Sequence, residues 1–178
     1  MFADTSQTRA QLLATAEREG PESQNNLGII YMATVDGAAN DEAAAECFRG
    51  AAERGYAPAQ YNLALLYERG QGVACDAQQA RKWFVRAAGL GDPAAQFHLG
   101  LHSHRKSMDP ANGDSPECRV EALKWLSLAA EHGYHNAETL CGSLILSMSV
   151  TQVSESSRRA AAFKTEPRTA NHSLPSTA

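Results

Sequence analysis

The 178-residue sequence lacks an excess of positive charge and has no long apolar run. Its 20 acidic residues outnumber its 16 lysines and arginines, so the formal net charge is -4. Because nucleic-acid binding needs a basic surface that neutralises phosphates, we expect no nucleic-acid partner. No apolar run approaches the ~20 residues of a membrane-spanning helix, and MFADTSQTRA does not resemble a secretion signal. We therefore expect a cytoplasmic protein without a membrane partner.

Catalytic motifs are also missing. The sequence has no Gly-x-Ser-x-Gly nucleophile elbow, and no set of Ser, His and Asp stands out by its spacing. Gly70-Gln71-Gly72 follows a predicted helix and lacks the Gly-Lys-Ser/Thr ending of a phosphate loop, so we interpret it as a turn. The sequence predicts no catalytic residue, no cofactor and no enzymatic activity.

Cysteines are few, and none forms a Cys-x-x-Cys pair. Cys47 and Cys141 stand at positions that other copies of the chain's repeat fill with large apolar residues, so both are predicted to lie in the core. Cys75 is predicted in a turn and Cys118 just before a helix. In a cytoplasmic protein this arrangement predicts free thiols.

Three histidines form the strongest candidate for a metal site. His98 and His102 are spaced i, i+4, which allows two imidazoles to hold one metal ion, and His104 lies close by. No carboxylate or cysteine follows at short ligand spacing, although Asp109 and Cys118 could approach from a long loop. Because zinc normally takes a fuller ligand set, we predict no metal site, and a metal-responsive interaction module is kept as an alternative.

The sequence does contain a repeat. The pattern Ala-Ala-x-x-Gly ends at Gly55, Gly91 and Gly133, so the first step is 36 residues and the second is 42. A period of this size is typical of stacked helix pairs, which mostly bind other proteins. The predicted first helices are 24–32, 59–69, 94–104 and 137–148; the predicted second helices are 41–54, 77–90 and 120–132, after a leading second helix at 8–19.

Residue size within the repeat predicts how the helices pack. When the repeats are aligned, each aligned position forms a column. One column has only small residues, which allow two helices to approach closely: Gly28, Ala64, Gly100 and Gly142. A second column has large residues, beginning with Leu12 and continuing with Phe48, Phe84 and Leu126. Further large residues at helical spacing are predicted to be core: Leu27, Tyr31, Leu63, Tyr67, Trp83, Leu99 and Trp125.

The stretch AQYNLALLYERGQGVACDAQQARKWFVRAAGLGDPAAQ resembles the Sel-1-like repeat family, a branch of the tetratricopeptide-like proteins. The resemblance covers about residues 8–163. It implies an all-α fold, a right-handed α-α superhelix (TPR-like solenoid) of about three and a half helix-pair repeats, and a bacterial protein. Residues 150–164 resemble the capping helix of bacterial members. We expect one solenoid domain, 1–163, and a disordered tail, 164–178.

In tetratricopeptide-like folds the first helices line a concave groove, so the resemblance implies a monomeric, non-catalytic adaptor that binds a protein or peptide there. The alternative for two of the aromatic positions, Tyr61 and Phe97, is packing against a neighbouring repeat. A β-lactam-binding enzyme, as in the cysteine-rich branch of the family, is less expected because the repeated cysteine pairs are missing. The groove positions are Asn25, Ile29, Tyr61, Leu65, Glu68, Arg69, Phe97, Leu101, His104 and Arg105.

Overall fold

The computed structural model describes residues 11, 14–33, 38–109 and 115–165. Within these ranges the regular secondary structure is helical throughout, so the all-α fold class is confirmed. The chain forms two compact units, Met1–Ala87 and Ala88–Ala178, and each is described by itself. No helix in the described ranges is long and apolar enough to cross a membrane.

The first unit begins with a short helix, α1 (14–19). Four helices follow, and the last of them continues across the boundary into the second unit. Each helix predicted in this unit is present within a few residues of its expected ends. The bounds are α2 (Pro21–Ala33), α3 (Ala38–Glu53), α4 (Ala57–Arg69) and α5 (Ala77–Gly89).

The core of the first unit lies between α2, α3 and α4. Phe48, Leu63 and Leu66 are completely buried there, together with the alanines of the Ala-Ala pair. Gly28 lies so close to the Phe48 ring that a Cβ atom on it would be 2.7 Å from Cε1. Gly28 therefore allows the close contact between two helices that the sequence predicts for the small-residue column. Tyr31, Tyr67 and Trp83 are only half-buried at the edge of this core.

The Gly-x-Gly turn after α4 touches the start of α3. Gly70 and Gly72 have left-handed backbone angles, with φ of 68° and 63°. A Cβ atom on Gly72 would be 2.1 Å from the carbonyl oxygen of Asp41 in α3, so only glycine fits. Asp76 then begins α5 by accepting hydrogen bonds from the backbone amides of residues 78 and 79.

The second unit contains α6 (Pro93–Met108), α7 (Pro116–Glu131), α8 (Ala137–Ile145) and α9 (Val150–Thr165). Asp92 caps α6 by accepting a 2.7 Å hydrogen bond from the amide of Ala95. Burial raises the pKa of the Asp92 carboxyl, against the opposite effect of its backbone hydrogen bonds. Proline at the first position of α6 fits there because that amide hydrogen has no partner within a helix.

The core of the second unit joins α6, α7 and α8. Leu123, Leu126 and Leu144 are buried together with Cys141. Gly100 of α6 lies under Leu126, where a Cβ atom would be 2.7 Å from Cγ. This contact repeats the one between Gly28 and Phe48 in the first unit. The large and small columns of the sequence therefore meet in both units.

Helix α9, predicted at residues 150–164, lies against α7. Phe163 contacts the ring of Trp125 edge to face at 5.1 Å. Arg159 forms ion pairs with Glu117 and Glu121 of α7, and Lys164 pairs with Glu131. A few apolar contacts and a larger set of exposed ion pairs therefore attach α9.

Three sequence predictions differ from the structure. Helix α8 ends at Ile145 and not at residue 148, because the backbone amides of Ser147 and Met148 donate to carbonyl oxygens three residues earlier and so form turns there. Gly142, predicted to allow a close helix contact, is exposed, and no atom lies within 4 Å of the place that a Cβ atom would take. Helix α7 begins at Pro116, earlier than the predicted residue 120. Parts of the predicted half repeat 8–19 and most of the predicted tail 164–178 lie outside the described residues.

Candidate partner-binding surface

The candidate surface of the second unit follows one face of α6. Phe97, Leu101, His104 and Arg105 have the spacing i, i+4, i+7 and i+8, which places them on one side of a helix. Leu101 is half-buried and Arg105 is exposed. The face therefore changes from apolar to cationic toward the end of the helix.

Phe97 is held in place by a second aromatic ring. Its centroid lies 4.8 Å from that of Tyr134, with a 38° angle between the ring planes. The side chain also packs against the core of the unit, yet it stays half-exposed. Phe97 therefore packs against Tyr134, which follows α7, and the exposed part of its side chain stays a predicted contact for a partner.

The end of α6 is a cationic surface. His102, Arg105 and Lys106 are exposed and line a shallow hollow together with Asp109. His104 is half-buried, and its Nδ1 atom is buried and has no hydrogen-bond partner in the described part of the chain. Arg105 is therefore available to a partner, whereas His104 offers less of its ring than the sequence predicts.

The candidate surface of the first unit lies on α4, with Ile29 on α2. Tyr61 is half-buried, and its ring centroid lies 5.7 Å from that of Phe84. Leu65 is half-buried, while Glu68 and Arg69 are exposed in the last turn of α4. Ile29 has 48% of its surface exposed.

Asn25 does not belong to an exposed surface. The sequence predicts that it faces the groove, but the residue is only 3% exposed. Its Oδ1 atom accepts a 2.9 Å hydrogen bond from Nδ2 of Asn62, which ties α2 to α4. A buried amide needs such a partner, so this position stabilises the stack of first helices and cannot contact a partner directly.

A repeated glutamine was missed by the sequence analysis. Nε2 of Gln60 donates to the carbonyl oxygen of Ala52 at 3.0 Å, and Nε2 of Gln96 donates to that of Ala88 at 3.2 Å. Both glutamines are buried, and each satisfies a carbonyl at the end of the preceding second helix. Their 36-residue separation was the signal that could have identified them.

The metal and thiol candidates are placed as follows. No group of three or more His, Cys, Asp or Glu side chains in the described ranges is arranged to hold a metal ion. Cys47 and Cys141 are buried as predicted, and burial raises the pKa of the Cys141 thiol. Cys75 is exposed and Cys118 is half-buried. The buried thiols therefore behave as small core side chains.

Comparison with known proteins identifies the repeat. The family model described as Sel1 repeat matches three consecutive segments, residues 21–56, 57–92 and 93–134. These segments account for more than half of the chain, and each contains one helix pair of the fold described above. No curated protein matches the chain.

Two solved structures are similar to this chain. One is a protective antigen present in uropathogenic Escherichia coli strains and displaying an SLR fold, with 27% identity, a TM-score of 0.71 and 89% of this chain covered. The other is a Sel1 repeat protein from Oxalobacter formigenes, with 31% identity, a TM-score of 0.60 and 76% of this chain covered. The matched part is 32% of the first protein's length and 54% of the second's.

Proposed function

Because the chain belongs to the Sel1 repeat family, whose repeats generally mediate protein–protein interactions, we propose that it is a non-catalytic adaptor. It binds a protein or peptide segment along the first helices of its repeats, in the groove that the family's fold implies. The observation that supports this surface most is the pairing of half-exposed, ring-supported aromatics with exposed arginines on α4 and α6.

The physical basis of the proposal is preorganisation. Tyr61 and Phe97 each lie against a second ring, so neither side chain loses much freedom when a partner covers its accessible side. Rigid aromatic area is typical of the residues that dominate binding energy at protein interfaces. The cost of ordering then falls mainly on the bound segment.

The charges on this surface favour a particular partner chemistry. Arg69 lies at the end of α4, and Arg105 lies at the end of α6 beside Lys106. Both helix ends also carry the partial negative charge of the backbone dipole, which these cations offset in the free protein. We infer that a bound segment carries apolar residues next to acidic ones, with its acidic side chains near Arg69 on α4 or near Arg105 on α6.

The test is capture of partners from a native lysate on two charge-reversed proteins. The double variant Arg69→Glu, Arg105→Glu is expected to capture at least about tenfold less partner than wild type, because two attractive contacts become repulsive. The matched control is Arg81→Glu combined with Lys82→Glu, which makes the same change in net charge at exposed positions of α5. Equal capture by both variants would move the binding surface away from the first helices.

A further inference from the structure

Helix α8 has an uncovered side. Its buried side faces the core through residues such as Cys141 and Leu144. The opposite side is exposed, and Leu146, just beyond the helix, has 90% of its surface exposed. We call this side the α8 stripe, and it consists of Thr139, Gly142, Ser143 and Leu146.

The α8 stripe is uncovered at a position where other first helices are covered. Gly28 of α2 lies under Phe48, and Gly100 of α6 lies under Leu126. Each covering residue belongs to the second helix of the same repeat. Gly142 is the small residue of the same column, and it has no neighbour within 4 Å of a Cβ position. Phe163, Arg159 and Lys164 of α9 contact α7. Val153 of α9 packs against the core on the buried side of α8, so these contacts leave the stripe on its opposite side uncovered.

A second uncovered face lies on α1 and α2. We call it the α1–α2 face; a hollow there is lined by residues that include Ala16, Leu27 and Ile30. The residues that follow these by 36 positions are Ala52, Leu63 and Leu66, whose exposures are 1%, 0% and 0%. Ala16 is itself buried at 6%, whereas Leu27 is half-buried and Ile30 is 58% exposed, so the face is uncovered on its α2 side.

The face of the following repeat shows what covers such a surface. There α2, a first helix, lies on α3 and α4, and Asn62 of α4 donates its hydrogen bond to Asn25 of α2. Ala52, Leu63 and Leu66 are buried in the core that this packing forms. The α1–α2 face therefore has the pattern that accepts a first helix, whereas the α8 stripe belongs to a first helix without its second helix.

We propose that α8 of one copy of this chain lies on the α1–α2 face of a second copy. The contact continues the repeat stacking from one molecule to the next, so it is head to tail and uses two different surfaces. Helix α1 of the second copy then covers Gly142, because it takes the place in the stack that the second helices α3 and α7 take over Gly28 and Gly100. In this contact Ile30 of the second copy becomes buried, as Leu66 is buried within a single chain. This departs from the monomer expected from the sequence.

The repeat register also assigns a specific pair across the contact. Thr139 occupies the column of Asn25, and Asn26 occupies the column of Asn62. Both Thr139 and Asn26 are exposed in the single chain. The hydrogen bond between Asn62 and Asn25 therefore has its intermolecular counterpart in Asn26 of one copy and Thr139 of the other.

Cysteine cross-linking tests this pair in the full chain. Thr139→Cys and Asn26→Cys are made in separate proteins, both with Cys75→Ser and Cys118→Ser so that the accessible native thiols are removed. Under mild oxidation the mixture is expected to give a mixed dimer joined between positions 139 and 26, while each protein alone gives none. Absence of the mixed dimer, or a dimer formed by the Thr139→Cys protein alone, would overturn the head-to-tail contact.

Sedimentation over a range of protein concentrations gives an independent readout. Wild type is expected to associate as concentration rises, and Ile30→Asp or Gly142→Arg is expected to abolish association with little change in the melting curve, because both sites are exposed. Val85→Asp is the matched control, since Val85 is an exposed apolar residue of α5, and it should associate like wild type. A wild type that stays monomeric, or an Ile30→Asp variant that associates normally, would refute the proposal.

Discussion

Two glycines in the same repeat column should respond to alanine in opposite directions. Gly100→Ala adds a methyl group 2.7 Å from Cγ of Leu126 and 3.1 Å from the Leu126 backbone nitrogen. Gly142→Ala adds the same group where nothing lies within 4 Å. Both residues lie in helices with ordinary helical backbone angles, so their intrinsic gain from alanine is similar.

The magnitudes follow from two competing effects. Replacing a helical glycine by alanine stabilises a helix by about 0.5–1 kcal/mol, and at Gly142 nothing opposes this gain. At Gly100 the added methyl group overpacks the core, which costs roughly 1–3 kcal/mol. The contact with a backbone atom makes relief difficult, so we expect a net loss of about 1–2 kcal/mol there.

Thermal unfolding followed by far-UV circular dichroism measures both changes. For a chain of this size, 1 kcal/mol shifts Tm by about 2–4 °C, so Gly142→Ala should raise Tm by about 1–4 °C and Gly100→Ala should lower it by about 2–8 °C. Gly28→Ala is a further comparison, because its Cβ would be 2.7 Å from the Phe48 ring. Shifts of the same sign for Gly100→Ala and Gly142→Ala would refute the packing assigned to this column.

Two more predictions concern the core and the last helix. Leu63→Asp should unfold the first unit, because a carboxylate at a fully buried site costs more than about 4 kcal/mol; a normal melting curve would contradict this. Glu117 of α7 accepts hydrogen bonds from Arg159 of α9, and these lower the pKa of the Glu117 carboxyl from 4.5, so this link between the helices is present above pH 4.5 and is lost as pH falls further below it. Acid should therefore loosen α9, and Trp125 fluorescence in a Trp83→Phe protein should report it; an unchanged signal down to pH 2 would count against these ion pairs.

Much of the fold could be predicted because each repeat contains the small and large residues that pack its two helices together. Small residues at Gly28 and Gly100 and large residues at Phe48 and Leu126 recur at the same helix positions from one repeat to the next. Their contacts are local to one helix pair, so the pattern of a single pair predicts them. The glycines that close the second helices have positive φ values, as the Ala-Ala-x-x-Gly pattern predicts.

The candidate binding surface was less predictable. Asn25, Tyr61 and Phe97 share one column, yet Asn25 is buried while the two aromatic rings are half-exposed. Register gives the direction of a side chain from its helix, but its exposure depends on which helix lies opposite. The residue at a given repeat position does not determine which helix lies opposite it.

The sequence by itself determined the helix boundaries to within a few residues, the all-α class and the family, because each depends on spacing within one or two helices. Only the tertiary structure decided which repeat positions are covered. Gly142 has the same place in the repeat as Gly28 and Gly100, but no atom of the described residues lies within 4 Å of its Cβ position. Burial is a property of neighbouring helices in space, so one pattern produces a core contact at Gly100 and an open surface at Gly142.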